Sequence, residues 1–246
     1  MTNQNGIDAD YYDDKKNGIS KLYYGNGQLM SKTNFIDGKK EGICKKYYET
    51  GQLKFEGNYI DDKENGICKK YYENGELMSE ACFVAGKKNG IYKNYYNNGV
   101  LKYEVNFIDG KENGILKKYY ESGQLKSESN YIDGKMRDFY KLYYESGQLD
   151  FEDNLNTGIC KSYYESGQLK SEEEFKNNKR NGISRLYYEN GQLLSEAYYI
   201  DGKMHGIHKI YFEDGELESG ETFINGEEED ICKRYDEEDD KELDDF

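Results

Sequence analysis

The sequence predicts an all-β chain: an elongated, twisted, single-layer antiparallel β-meander built of 24-residue hairpin repeats, about 20 strands in all. Three observations carry this reading. Aromatic pairs recur at a spacing of 24 from Tyr23-Tyr24 through Tyr47-Tyr48, Tyr71-Tyr72, Tyr95-Tyr96 and Tyr119-Tyr120 to Tyr143-Tyr144, then after one step of 20 at Tyr163-Tyr164, Tyr187-Tyr188 and Tyr211-Phe212. A glycine stands three residues after each pair, from Gly27 to Gly215, and with the other turn glycines it leaves no run long enough for a stable helix. Leu, Ile, Val and Phe together are only 46 of 246 residues at a net charge of −15, a disordered composition, yet there are 27 Tyr. Order must therefore come from tyrosine packing rather than from an aliphatic core.

The elements follow in order. Residues 1–16 hold a half repeat: residues 8–16 align with Thr33 to Lys40 and read as the second strand of an incomplete unit that caps the array. Residues 17–228 hold nine hairpins. In a representative one, Ile43 to Tyr48 is the first strand, Glu49-Thr50-Gly51-Gln52 the turn and Leu53 to Ile60 the second strand. Asp37-Gly38-Lys39 and its copies turn the chain into the next unit, because Asp-Gly between β-branched or aromatic runs supplies the positive φ of a tight hairpin. The repeat at 137–156 is shortened: Arg137-Asp138 replaces Asn-Gly and four residues are missing, which predicts a shorter strand and a tight turn near Asn156-Thr157. Residues 229–246 begin as another half repeat, Ile231 to Tyr235, and end in an acidic tail. One strand, nine hairpins and one strand give 20, roughly 95 Å as a single meander.

Alternation sorts the side chains. Ile43, Lys45 and Tyr47 fall on one face, and Cys44, Lys46 and Tyr48 on the other, so tyrosine is expected on both. The basic column through Lys45 and Lys69 lies one strand from the acidic column through Glu56 and Glu80, a pattern of cross-strand ion pairs rather than a phosphate ladder. Cys44, Cys68, Cys160 and Cys232 share a column at ~9.6 Å per repeat, beyond the ~7 Å reach of a disulfide, and read as packing thiols. One unit cannot bury enough to offset its own ordering, so stability is expected to be array-like.

Several classes drop out. No apolar run is long enough for a membrane helix. Met1-Thr2-Asn3-Gln4-Asn5-Gly6 has neither a basic nor an apolar region, so no secretory signal is expected and a reduced cytoplasmic chain is the simple reading. The negative charge argues against nucleic acid and against a membrane surface, and favours a basic protein partner. His205 and His208 lack companions at ligand spacing, and no nucleophile or nucleotide-binding motif appears. The expectation is a non-enzyme with no cofactor, no metal and no catalytic residue, a monomer or an edge-strand dimer. The candidate partner-binding residues are Tyr24, Tyr48, Tyr72, Tyr96, Tyr120, Tyr144, Tyr164 and Tyr188, since tyrosine offers large area at low entropic cost, with Glu237, Glu238, Asp239 and Asp240 of the tail.

The segment Tyr199-Ile200-Asp201-Gly202-Lys203-Met204-His205-Gly206 resembles the MORN repeat core, and the longer unit from Asn181-Gly182-Ile183 to Gly191-Gln192-Leu193 resembles its bacterial variant, found in YwqK-family antitoxins. The chain departs from the common pattern in lacking Trp and in having His before Gly in one copy only. The resemblance implies an elongated β-meander with a protein-binding role, and for the antitoxin members neutralisation of a toxin. A structural or adhesive scaffold at a cell surface or host interface, a lipid-associated scaffold and a carbohydrate or choline module are the alternatives.

Overall fold

The computed structural model describes residues 7–12 and 15–229. Every helix or strand among them is a strand, 24 in number, and all pairings are antiparallel. Four first strands are interrupted by one residue: Lys63–Glu64 with Gly66–Tyr71, Lys87–Lys88 with Gly90–Tyr95, Lys111–Glu112 with Gly114–Tyr119, and Lys203–Met204 with Gly206–Tyr211. Taking each pair as one run, 24 − 4 leaves 20 runs among the described residues: the expected half-repeat strand, the eighteen strands of nine hairpins, and Glu227–Glu229, whereas the sequence predicts the last strand at Ile231 to Tyr235, outside them. At each break the N–H of Asn65, Asn89, Asn113 or His205 donates across to the carbonyl of Asn58, Cys82, Asn106 or Tyr198. The next residue is a glycine at positive φ, 90° at Gly66 and 101° at Gly90. These are β-bulges, and Asn-Gly is their sequence mark.

The chain divides into two compact units, Met1–Arg137 and Asp138–Phe246. In the first, Ile7–Tyr12 pairs with Lys15–Tyr23, and hairpin follows hairpin to Leu125–Ile132. Register is constant: Ile43 faces Asn58, Cys44 faces Gly57, Lys45 faces Glu56 and Lys46 faces Phe55. The next repeat docks by Phe55 opposite Lys70 and Glu56 opposite Lys69. In the second unit the same register sets Lys161 against Glu172 and Arg185 against Glu196. There the strand Leu149–Asn154 has six residues where others have eight, and the turn after it closes through Thr157 and Gly158 N–H donors to the Asn154 carbonyl.

Two kinds of turn alternate. Within a hairpin, Gly51 N–H donates to Tyr48 O and Tyr48 N–H to Gln52 O, with Gly51 at φ 88°. That is the three-residue loop with glycine in the left-handed region. Between hairpins, Asp37 and Gly38 both have positive φ, 51° and 83°, as a type I′ turn demands. Asn177 and Asn178 do the same at 52° and 61° with no glycine. Asn178→Gly is therefore expected to stabilise the chain by about 0.5 kcal/mol, relief of left-handed strain outweighing the added freedom of the unfolded chain. Urea denaturation reads this directly, and a loss of stability would refute the turn geometry.

Burial does not follow hydropathy. Cys44 is 1% exposed, whereas Ile43 beside it is 57% exposed. A sheet without a covering layer among the described residues closes on the face where large rings can fold over small neighbours. On the Cys44 face, Phe55, Tyr59 and Phe83 gather around Cys44 and Cys68, and the Phe55 and Tyr59 rings meet edge-on at 6.5 Å. Gly57 makes the space: a Cβ there would lie 2.6 Å from Cys68 Sγ and 2.7 Å from Phe55 Cζ. We call this the core face and the other the outer face.

Burial pushes the Cys68 thiol up from 9.0 to about 11. Burial, reinforced by a hydrogen bond to Asp153, pushes Cys160 from 9.0 to about 12. The folded chain thus holds these protons more tightly than the unfolded chain does. Their contribution is complete below pH 9 and is lost as pH rises through the folded values. Stability should fall between about pH 9 and 12, and Cys68→Ala should flatten its share of the fall. A pH series of denaturant melts showing an unchanged slope would contradict this.

Candidate interaction surface

The second tyrosine of each pair lies outside the strand. The first strand ends at Tyr47, where the register shifts, and Tyr48 belongs to the turn. The expectation that Tyr48 shares the Cys44 face is corrected by that bulge. Its ring instead reaches sideways, and its hydroxyl donates to the Tyr71 carbonyl of the following repeat at 2.8 Å. The clasp recurs: Tyr24 to Tyr47, Tyr72 to Tyr95 and Tyr96 to Tyr119 in the first unit, and Tyr144 to Tyr163, Tyr164 to Tyr187 and Tyr188 to Tyr211 in the second, all at 2.7 to 2.9 Å. Tyr120 occupies the same position and is half-buried. Lysine ammoniums cap several of these rings, Lys54 over Tyr48 at 5.0 Å and Lys126 over Tyr120 at 5.0 Å. Partial desolvation raises the Tyr48 phenol above its ordinary value, with Glu73 adding to the shift. These tyrosines join repeats, and the ring edges are what they can offer a partner.

Turn side chains add a second seam. Asn190 donates to the Glu213 carbonyl at 2.9 Å, while its own oxygen accepts from Gln192 N–H. Asn26 and Asn74 do the same toward Glu49 and Asn97.

The outer face carries the apolar exposure. Ile19, Ile43, Ile67, Ile91 and Ile115 form one row, each about half exposed, and Ile36, Ile60, Val84, Ile108 and Ile132 form a second at the ends of the second strands. On the hairpin-turn side of the first row run ion pairs within hairpins: Lys45–Glu56 and Lys69–Glu80 at 3.2 Å, and Lys117–Glu128 at 3.5 Å. The second unit repeats these with Lys161–Glu172 at 3.2 Å and Arg185–Glu196 at 2.7 Å. The pair hydrogen bond raises the Lys69 ammonium. Such half-exposed pairs contribute little stability. Between Ile19 and Ile43 lies a groove of about 520 Å³, bordered by Asn34, Lys32, Lys45 and Tyr47.

Sequence reasoning found the Lys–Glu pairs and put Ile43 on the face of Lys45, but had no reason to turn the isoleucines outward. Glu237, Glu238, Asp239 and Asp240 lie outside the described residues, as do Cys232 and the strand proposed at Ile231 to Tyr235. Cys44, Cys68, Cys82 and Cys160 are free thiols. Among the described residues no three His, Cys, Asp or Glu side chains converge as a metal site, and no helix is long and apolar enough to cross a membrane.

The MORN repeat variant family matches eight segments: residues 16–37, 40–61, 64–85, 88–109, 112–133, 156–177, 180–201 and 204–225. The stretch left between the fifth and sixth, residues 134–155, takes in all but the last residue of the shortened repeat. No curated protein matches the chain. Among solved structures, a mutant of S. aureus TarM in complex with Fondaparinux, alpha-GlcNAc-glycerol and UDP is 14% identical with a TM-score of 0.28, over 44% of this chain and 21% of that one. A TcdB2-TccC3-Cdc42 structure is 11% identical with a TM-score of 0.17, over 83% of this chain and 15% of that one. With matched copies across well over half its length, on hairpins whose turns and clasps recur with the match, the chain belongs to the MORN repeat variant family and is a repeat scaffold.

Proposed function

We propose that this is a non-catalytic protein-binding module of antitoxin or immunity type, acting in the cytoplasm on a basic protein partner. The observation that carries the reading is the pair of aliphatic rows on the outer face of the first unit, about half exposed along five repeats. Contiguous apolar exposure of this kind marks a surface that another protein covers. The net charge of −15 speeds encounter with a basic partner, and the glutamates paired with Lys45 and Lys69 offset positive charge on the face itself. Tyr24, Tyr48, Tyr72 and Tyr96 contribute ring edges along the hairpin-turn margin of the sheet, and the acidic tail adds long-range attraction.

The test is affinity capture from native cytosol with full-length protein, the form ending at residue 226, and the double variant Ile67→Lys, Ile91→Lys. The reading expects one basic protein, lost with the double variant and weakened by salt. That protein should arrest growth when expressed alone and be relieved by co-expression. A captured protein that is harmless alone would reduce the reading to a scaffold. Capture that is indifferent to the double variant would remove the outer face from it.

A further inference from the structure

The core face of the first unit carries lysines of a different kind. On the outer face Lys45, Lys69 and Lys117 each meet a glutamate. On the core face Lys40, Lys46, Lys70, Lys88 and Lys118 form no ion pair among the described residues. Three of them rest on rings instead: Lys40 over Tyr59 at 5.2 Å, Lys46 over Phe55 at 5.6 Å, and Lys88 over both Tyr92 at 4.0 Å and Phe107 at 4.7 Å. A ring under an ammonium fixes its position without neutralising it, so its outward protons remain available to an acceptor. Glu64 and Glu112 are the carboxylates in the same trough. A strongly acidic chain thus keeps a cationic strip on one face.

The strip is also concave. A basin of about 450 Å³ is lined by Lys88, Tyr92, Tyr103, Phe107, Lys118 and Tyr131 over a floor that includes buried Val105. A smaller one of about 110 Å³ lies beside it over Phe55, Cys68, Ala81 and Phe83, edged by Lys70. The two share Lys88 and Tyr92, so they form one trough running across the strands. Successive repeats along it are ~9.6 Å apart, and three residues of extended chain span ~10 Å. An extended segment lying along the trough turns every second side chain, ~6.8 Å apart, toward it.

We propose that this trough, centred on Lys88 between Lys70 and Lys118, binds an extended acidic peptide segment that carries an aromatic side chain. A carboxylate meets the ring-seated Lys88 ammonium, and the aromatic side chain enters the larger basin among Tyr92, Tyr103 and Tyr131. Glu64 and Glu112 disfavour a polyphosphate backbone, whose charges recur too closely to avoid them. The site is on the opposite face from the isoleucine rows and stands independently of the function proposed above.

The test uses the full chain and fluorescence anisotropy with a labelled synthetic peptide repeating Glu-Ser-Phe-Ser, which turns its Glu and Phe side chains to one face when extended. Its comparators are a Lys and Phe peptide, oligoglutamate and oligothymidylate. The Glu and Phe peptide should bind best, and Lys88→Glu and Lys118→Glu should each weaken it about tenfold. Lys88→Arg should retain binding, and Ile67→Lys on the other face should leave it unchanged. Circular dichroism checks the fold of each variant. Should Lys88→Glu fail to fold, Lys118→Glu carries the test, since no ring contact seats Lys118 among the described residues. No binding, equal binding of the Lys and Phe peptide or of oligothymidylate, or indifference to both charge reversals in folded protein would overturn the proposal.

Discussion

Gly158→Ala is expected to destabilise the second unit by about 3 kcal/mol. Gly158 ends the turn of the shortened repeat at φ 74°. Its N–H donates to the Asn154 carbonyl and its own carbonyl accepts from Phe175 N–H, both at 2.7 Å. A Cβ at this position would overlap the Phe175 carbonyl oxygen, a backbone atom that cannot rotate away. The substitution therefore adds a steric clash to the left-handed strain that any alanine suffers there. Gly206→Ala is the internal control: its φ is 83° and no atom lies within 4 Å of its Cβ position. It should cost about 1 kcal/mol. Urea melts of the two variants separate clash from strain, and equal losses would show that Phe175 does not approach Gly158 as described.

Tyr96→Ala should cost about 3 kcal/mol and Tyr96→Phe about 1 kcal/mol. The phenylalanine variant removes only the 2.9 Å bond to the Tyr119 carbonyl. The alanine variant also removes the ring that bridges two repeats and underlies Lys102 at 5.2 Å. Tyr48→Phe acts two repeats away and shares no partner with Tyr96, so the double phenylalanine variant should show additive losses. Differential scanning calorimetry of the four proteins checks this. A phenylalanine variant as stable as the parent would mean that solvent serves the Tyr119 carbonyl equally well, and the clasp would lose its energetic role.

Much of the architecture was legible because it is local. Asp37-Gly38 states its turn type through the φ values it permits, and Lys45 finds Glu56 because hairpin register follows from loop length. The bulges at Asn65 and Asn89 were less visible, since Asn-Gly reads as a turn until pairing shows that the strand resumes beyond it. The faces were not legible. Ile43 and Cys44 alternate perfectly, and hydropathy would bury the isoleucine. The outcome depends on Gly57 and Phe55 on the neighbouring strand, which give the Cys44 face both a ring and a recess for it. Tyr48 was misassigned to a face for a related reason: alternation counts residues, and the register shift at Tyr47 ends the count one residue early. The surface offered to partners depends on this choice of face, so it was hidden along with it. Lys45 and Lys46 look equivalent in sequence, yet one meets Glu56 and the other lies over Phe55.

The seams between repeats have a direction. Tyrosine hydroxyls and turn asparagine side chains donate forward, as from Tyr72 to Tyr95, while backbone N–H groups of the turns between hairpins donate backward, as from Gly86 to Glu64. Each interior repeat of the first unit thus gives and receives the same bonds as its neighbours, whatever its place in the order. At the level of the gene, a duplication or loss of 24 codons leaves every donor facing an acceptor, whereas a change of 23 or 25 strands the clasps at both joints. Copy number is therefore the parameter that recombination can vary freely in this chain, and the length of its partner-facing surface varies with it.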